Sequence, residues 1–124
     1  MALEPLAKKG NFFHVYDFRV KPGTGDEFIE LFNEYDYSDD NQMNKSSAQV
    51  KDGVLCRATE AEDHFYLIGE WRDIDVHRAI RETMAERIRP GFIKLVVGGS
   101  FVPTYAEIVT ETPQDILDKA QAEI

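Results

Sequence analysis

The distribution of apolar residues along the chain predicts four β-strands. We expect them at Phe12–Val20, Val54–Glu60, His64–Arg72 and about Val102–Thr110. These segments are rich in aromatic or β-branched residues, which favour extended structure, and turn-forming residues separate them. The apolar run Phe92–Gly99 is too short for its periodicity to distinguish a helix from a strand.

Apolar residues spaced three and four apart predict two helices between these strands. The buried face of the first helix is expected to contain Phe28, Leu31, Phe32 and Tyr35. The buried face of the second is expected to contain Val76, Ile80, Met84 and Ile88. Both helices begin after residues that favour a helix start, so each has one apolar face to bury against the sheet.

Residues at the helix ends support these boundaries. Thr24 followed by Glu27 forms a capping-box pattern, and Asp73 or Asp75 is expected to cap the second helix. Pro90-Gly91 ends that helix, and Thr112-Pro113 starts a third helix with Pro113 in its first position.

Three segments outside the regular elements complete the outline of the chain. Residues 1–11 are expected to form a flexible N-terminal tail, and residues 111–124 a C-terminal helical extension. Residues 38–53 are polar and predict a long loop, and long loops often form lids or interface elements.

The order strand, helix, strand, strand, helix, strand predicts an α+β fold, the ferredoxin-like βαββαβ unit with an antiparallel sheet. Two helices cover one face of such a sheet. In the first and third strands both faces carry apolar residues, whereas a solvated second face would show cleaner polar alternation. We therefore predict a homodimer in which two sheets pack against each other.

Composition narrows the classes of partner. The 124 residues suffice for one domain, and 23 acidic against 14 basic residues give a net charge of −9. This charge argues against nucleic acid or an anionic membrane as a partner. The sequence contains no long apolar run or signal-peptide pattern, which predicts a cytoplasmic protein. Cys56 is the only cysteine and is expected to be a small buried residue.

At three places the chain resembles the antibiotic biosynthesis monooxygenase family, whose paired ferredoxin-like subunits form a dimeric α+β barrel. These places are Val20-Lys21-Pro22-Gly23 before the Phe28 helix, Gly53-Val54-Leu55, and Phe65 to Trp71 before the second helix. The resemblance covers about residues 12–110. It implies a cavity between sheet and helices and, in the best understood members, oxygenation of anthrone or quinol-type aromatics without a cofactor.

The resemblance also suggests roles for individual residues. Trp71 matches the tryptophan that lines the family's site, and His77 matches a tyrosine six residues later. Leu67 stands where those enzymes have an asparagine. In a haem-degrading branch, an asparagine and a histidine occupy the positions of Tyr16 and Arg81, so the haem-degrading activity is disfavoured.

The chemistry of the side chains adds further candidates. Oxygenation without a cofactor needs a base and a group that holds the resulting anion. His77 is the candidate base, with Trp71 as the second catalytic residue. The substrate-binding candidates are His14, Tyr16, Leu67, Arg81 and Met84.

Other sites have little support in the sequence. The three histidines lack metal-ligand spacing, and no glycine-rich phosphate loop is present, so we expect no metal and no cofactor. The alternatives to an oxygenase are a dimeric protein that binds or senses a small apolar molecule without turnover, and an interaction subunit with a filled core.

Overall fold

The computed structural model of the chain describes residues 3–122, with side chains as far as residue 119. Its strands β1 to β4 are Phe12–Arg19, Gln49–Arg57, His64–Trp71 and Pro103–Glu107. Its helices α1 to α3 are Gly25–Asp36, Ile74–Arg87 and Gln114–Ala122. The strands form one antiparallel sheet in the order β2-β3-β1-β4. The ferredoxin-like α+β fold predicted from the sequence is confirmed.

The register of the sheet separates its residues into a helix-side face and an outer face. His14 pairs with Gly69 of β3 and with Tyr105 of β4, so these three positions share the helix-side face. Val15 pairs with Ile68, which in turn pairs with Val54, and these three positions share the outer face. The alternation predicted for β1 and β3 is therefore correct.

A cluster of phenylalanines forms the core between α1 and the sheet. Phe28 of α1 is fully buried, and its ring lies 5.3 Å from that of Phe18 and 4.9 Å from that of Phe65. Phe92 closes the cluster from a short 3-10 helix, Gly91–Leu95, with its ring 5.6 Å from Phe28. The run Phe92–Gly99, which the sequence could not assign to a helix or a strand, thus begins within a 3-10 helix.

The start of α1 differs from the predicted capping box. Pro22 and Gly23 form a turn in which Gly23 has a φ of +78°, and the Thr24 backbone N–H donates to the Lys21 carbonyl. The Thr24 hydroxyl also donates to that carbonyl, at 2.6 Å, and makes no cap hydrogen bond to the helix. Thr24 is the N-cap residue, as predicted, but the predicted capping box is wrong because the preceding turn engages the Thr24 hydroxyl.

The start of α2 agrees with the sequence, whereas its buried face does not. The Asp73 carboxylate accepts hydrogen bonds from the backbone N–H groups of Asp75 and Val76. The buried residues of α2 are His77 and Met84. The residues Val76, Ile80 and Ile88 of the predicted apolar stripe are only half-buried. The helix is rotated so that its polar residues His77 and Arg81 face the sheet.

The segment predicted as a loop over residues 38–53 contains regular structure. A 3-10 helix spans Gln42–Lys45, and β2 begins at Gln49, well before the predicted Val54. Two register shifts relative to β3 lie between Gln49 and Val54. Because bulges interrupt alternation, the early part of this strand has no simple period-two pattern.

The N-terminal segment before β1 is hydrogen-bonded to the sheet. The buried carboxylate of Glu70, on the outer face, accepts hydrogen bonds from the Lys8 backbone N–H at 3.0 Å and the Asn11 amide at 2.8 Å. The Lys51 ammonium donates to the Leu6 carbonyl. The division of the chain into tail, domain and extension stays a prediction.

Two further details complete the comparison with the sequence. Cys56 was expected to be buried but is exposed on the outer face, where it pairs with Tyr66. The last strand is shorter than predicted, and α3 begins at Gln114, one residue after Pro113. Between residues 3 and 122, no helix has both the length and the apolar character needed to cross a membrane.

Candidate functional site

A cavity of about 450 Å³ lies on the helix-side face of the sheet. Its walls come from β1, α1, α2 and β3, and from the segment between α1 and β2 that the sequence predicted as a loop. Apolar and aromatic side chains meet a few charged groups there, which is typical of small-molecule sites.

Six of the seven predicted site residues line this cavity. They are His14, Tyr16, Leu67, His77, Arg81 and Met84. Trp71 is the exception, since it is completely buried and does not line the cavity. Its ring packs edge-on against His77, with 4.8 Å between centroids. Trp71 therefore lies behind the wall and supports His77 from the sheet.

His14 and His77 form a stacked pair between β1 and α2. Their ring centroids are 4.6 Å apart with 23° between the planes. Glycines in the neighbouring strands make room for His14: a Cβ on Gly69 would lie 2.6 Å from its Cε1 atom, and one on Gly53 would lie 3.6 Å from its Nε2 atom. The missing side chain at Gly69 is what the His14 ring requires, whereas a Cβ at Gly53 would be in ordinary contact with the ring.

His77 has one ring nitrogen bound and the other free. Its Nδ1 atom shares a hydrogen bond of 2.8 Å with the Tyr105 hydroxyl, and its buried Nε2 atom has no partner. Burial, together with the nearby His14, Arg81 and Arg78, lowers the pKa of His77 to about 3. Burial lowers the pKa of His14 to about 4. Both rings are therefore neutral at neutral pH.

The hydroxyl groups around this pair retain their protons. Burial raises the pKa of Tyr16, although the positive charge of Arg81 opposes the rise. Burial also raises the pKa of Tyr105. When Nδ1–H of His77 donates to the Tyr105 oxygen, Nε2 carries a lone pair and can accept a proton.

Arg81 brings a positive charge to the cavity one helical turn after His77. Its guanidinium donates to the Phe101 carbonyl and lies 5.8 Å from the centroid of the Phe101 ring. Its Nε atom is buried without a partner. In residues 3–119, no carboxylate oxygen lies within 4.0 Å of this guanidinium.

Acidic and polar groups line another part of the cavity. Asp36, at the end of α1, accepts a hydrogen bond from the Asn41 amide at 2.9 Å. Burial and the nearby Asp52 raise the pKa of Asp36. Burial, with Asp40 and Asp36, raises the pKa of Tyr35 to about 12. Arg81 is the partly buried cation of this cavity, whose walls also include the exposed Arg87 and Arg89 and the acidic Asp36, Asp52 and Glu86.

Several residues of the site were not identified from the sequence. Tyr105 was missed, although alternation along the predicted last strand would have placed it beside His14. Phe101, Asp36 and Asp52 were missed because they lie in or beside segments without a clear period. In the described residues, no group of three His, Cys, Asp or Glu side chains could hold a metal ion. The expectation of a site without metal or cofactor stays a prediction.

Comparison with known proteins shows similarity in structure and not in sequence. No protein-family model matches the chain, and no curated protein matches it in sequence. SnoaB from Streptomyces nogalater, a cofactor-independent oxygenase solved as a variant, superposes with a TM-score of 0.57 at 18% identity over 84% of this chain and 98% of its own.

Two further solved structures are similar. A candidate antibiotic biosynthesis monooxygenase from Bordetella bronchiseptica gives a TM-score of 0.58 at 17% identity, over 82% of this chain and 100% of its own. A dimeric ferredoxin-like protein from an uncultured marine organism gives a TM-score of 0.59 at 14% identity, over 85% of this chain and 93% of its own. The chain therefore has the fold of the dimeric α+β barrel proteins that resemble antibiotic biosynthesis monooxygenases.

Proposed function

We propose that this protein is a cofactor-independent monooxygenase that oxidises an aromatic, quinol-like small molecule in the cavity beneath α2. The observation that carries this proposal is His77, a buried imidazole whose Nε2 atom has no partner in a cavity with aromatic walls. The similarity in fold to SnoaB agrees with this reaction class.

The chemistry requires the substrate to become electron-rich before it meets O2. In the proposed reaction, Nε2 of His77 accepts a proton from an activated CH2 group, such as that of an anthrone, and leaves a carbanion. Electron transfer from this carbanion to O2 and formation of a C–O bond give a peroxide. Loss of water then leaves a ketone, so that CH2 and O2 become C=O and H2O.

The surrounding residues stabilise this step in the proposal. Tyr105 accepts from Nδ1–H and holds the ring in the tautomer with a free Nε2, while Trp71 fixes the plane of the ring from behind. Arg81 faces the developing anion. A bound anion also favours the protonated imidazole, which raises the pKa of His77 from its low value in the empty cavity.

Oxygen uptake with an anthrone tests the proposal. Purified protein mixed with dithranol should consume O2 faster than buffer alone and release the anthraquinone, detected by absorbance. His77→Ala should lower this rate about 100-fold or more, the range that general-base catalysis supplies. Tyr105→Phe keeps the ring but removes its hydroxyl, and should lower the rate less.

Matched controls separate catalysis from folding. His64 lies at the start of β3, bound to Asp17 at 2.6 Å and outside the cavity, so His64→Gln should retain the wild-type rate. Thermal melting should show that His77→Ala remains folded. A folded His77→Ala variant with the wild-type rate would exclude His77 as the base.

One observation favours a second candidate, a protein that binds a small apolar molecule without turnover. The pKa of His77 lies near 3, which makes it a weak base in the empty cavity. Leu67 adds an apolar wall where the resemblance leads us to expect an amide. Such a protein would gain thermal stability with an anthraquinone probe while consuming no O2 with dithranol.

We further propose that the protein is a homodimer formed through the outer face of the sheet. Val54 on this face is 60% exposed, and it lies in a row with Ile68 and Val15. A similar structure is described as dimeric. The cytoplasmic location expected from the sequence stays a prediction.

A further inference from the structure

We infer that the ligand of this cavity carries a carboxylate, and that Arg81 binds it. The inference rests on the proposed small-molecule site and adds the charge of the molecule that fills it. An aromatic or otherwise apolar body would lie among the ring and methionine side chains, and its carboxylate would lie against the guanidinium.

The first argument is the lack of a counter-ion. Other arginines of the described residues have an acidic partner, for example Arg78 with Asp75 and Arg57 with Asp26. None of the ion pairs among these residues includes Arg81. Arg81 is partly buried, yet its partners are all neutral: the Phe101 carbonyl and ring, and the Tyr16 hydroxyl. A desolvated cation without a partner is costly, and an anion from outside would offset that cost.

The second argument is the set of unused donors. The buried Nε–H of Arg81 has no acceptor, although it belongs to a planar guanidinium whose N–H groups match the two oxygens of a carboxylate. Nε2 of His77, one helical turn away, is also unpaired and 1% exposed. Polar atoms buried without partners around one cavity indicate a ligand that supplies the missing partners.

The third argument is the local nature of the positive charge. The chain has a net charge of −9, so its overall field repels anions. An acidic ligand would therefore need a specific cation in the cavity. The acidic region at Asp36 and Asp52 disfavours placing the carboxylate there, which fixes the orientation of the ligand.

A pair of matched probes tests the inference by calorimetric titration. 2-Naphthoate and 2-naphthamide have the same rings and nearly the same shape, but only the first is charged. Wild-type protein should bind naphthoate about ten- to a hundred-fold more tightly than naphthamide, as expected for a hydrogen-bonded charge pair. Equal affinities, or no binding of naphthoate at millimolar concentration, would overturn the inference.

Variants of two arginines on α2 locate the effect. Arg81→Gln should reduce the affinity for naphthoate to that for naphthamide, and Arg81→Lys should give an intermediate value because it keeps the charge and loses the planar fork. Arg78→Gln is the control, because Arg78 is paired with Asp75 and does not line the cavity. It should bind both probes as the wild type does.

The outcomes also separate this inference from the proposed reaction. If Arg81→Gln fails to fold, the wild-type preference for naphthoate and the Arg81→Lys variant still decide. A reduced preference in the lysine variant supports binding by the planar guanidinium, and an unchanged preference excludes it. Neither probe is oxidised, so selective binding of naphthoate without O2 uptake from dithranol would leave the inference intact and reject the oxygenase. O2 uptake from dithranol without selective binding of naphthoate would support the oxygenase and reject the carboxylate inference.

Discussion

The stacked rings of His14 and His77 are neutral because the fold removes both from water. His77 faces His14 from β1, Tyr105 from β4, Trp71 from β3, and Arg81 and Arg78 from its own helix. Among these groups only the two arginines are charged at neutral pH, and both disfavour an imidazolium. The folded protein therefore resists protonation of this pair, which makes its stability depend on pH.

Stability should fall as the pH drops from about 6.5 to about 3. Below pH 6.5 the unfolded chain protonates both histidines, whereas the folded protein resists protonation until the pH approaches about 4 for His14 and about 3 for His77. The unfolded state then binds up to two more protons, so the free energy of unfolding falls by roughly 3 kcal/mol per pH unit near pH 5. Asp36, whose pKa is raised, opposes this trend in part.

Urea denaturation at several pH values measures this slope. His77→Gln cannot take up the second proton and should reduce the slope by about half. Parallel curves for the wild type and His77→Gln would show that His77 does not contribute.

Gly69→Ala should destabilise the protein by about 1–3 kcal/mol, the range for an overfilled core. The new Cβ would lie 2.6 Å from Cε1 of His14 and 3.1 Å from the Gly53 Cα, so a rigid ring and a backbone would both have to move. The measurement is the free energy of unfolding in urea.

Gly91→Ala is the matched control for this substitution. It makes the same chemical change where the nearest atom, Cδ2 of Leu31, is 3.9 Å away, and should alter stability by less than about 0.5 kcal/mol. Combining Gly69→Ala with His14→Ala removes the ring contact, so the two changes should cost less together than their sum. Strict additivity would show that the ring is not the obstacle.

At the scale of residues, the sequence predicted which residues line the cavity better than it predicted their arrangement, and their functional roles stay a prediction. Periodicity on α2 placed His77 beside the buried face, and alternation on β1 placed His14 and Tyr16 on one side. Neither pattern reveals how far a ring extends, so Trp71 was expected at the cavity and lies behind it. The contact between His77 and Tyr105 joins residues 28 positions apart, which no local pattern contains.

Among the secondary-structure elements, the two main helices start in different ways. Asp73 caps α2 through two backbone N–H groups, whereas the Thr24 hydroxyl is bound to the preceding turn. Both residue types favour the N-cap position, so the sequence alone could not distinguish them. The difference comes from the Pro22-Gly23 turn, which brings the Lys21 carbonyl within reach of Thr24.

This difference predicts that removing the two N-cap side chains lowers the free energy of unfolding by unequal amounts. Asp73→Ala should lower the free energy of unfolding by about 1 kcal/mol, the usual value for a lost N-cap, and Thr24→Ala by about half as much or less. Because Asp73 precedes the helix that carries His77 and Arg81, its loss should also weaken naphthoate binding. Equal costs for both variants in urea denaturation would contradict the assigned roles.

Strands were predicted well where both alternation and a hairpin constrained them. The bounds of β3 were predicted to within one residue, because period two and the single tryptophan mark its length. The first half of β2 was missed because two bulges between Gln49 and Val54 break its alternation. The residues beside this irregular part, Asp52 and Gly53, line the cavity.

For the molecule as a whole, the outer face of the sheet is the surface through which we propose that two copies assemble. Each chain carries a net charge of −9, so two copies repel each other, and burial of the apolar row must exceed that repulsion. Salt screens the repulsion and leaves apolar burial intact. The proposed dimer should therefore tighten as salt is added.

Sedimentation equilibrium tests this assembly. The wild type should sediment as a dimer of 14.2 kDa chains at micromolar concentration. Val54→Arg places a charge at the exposed end of the apolar row, where a partner would have to bury it, and should shift the protein to monomer with little effect on its own fold. Val97→Arg is the control, because Val97 is 57% exposed and follows the 3-10 helix Gly91–Leu95, outside the outer-face row. A monomeric wild type, or a Val54→Arg variant that dimerises as tightly as Val97→Arg, would mean that the outer face is not the interface.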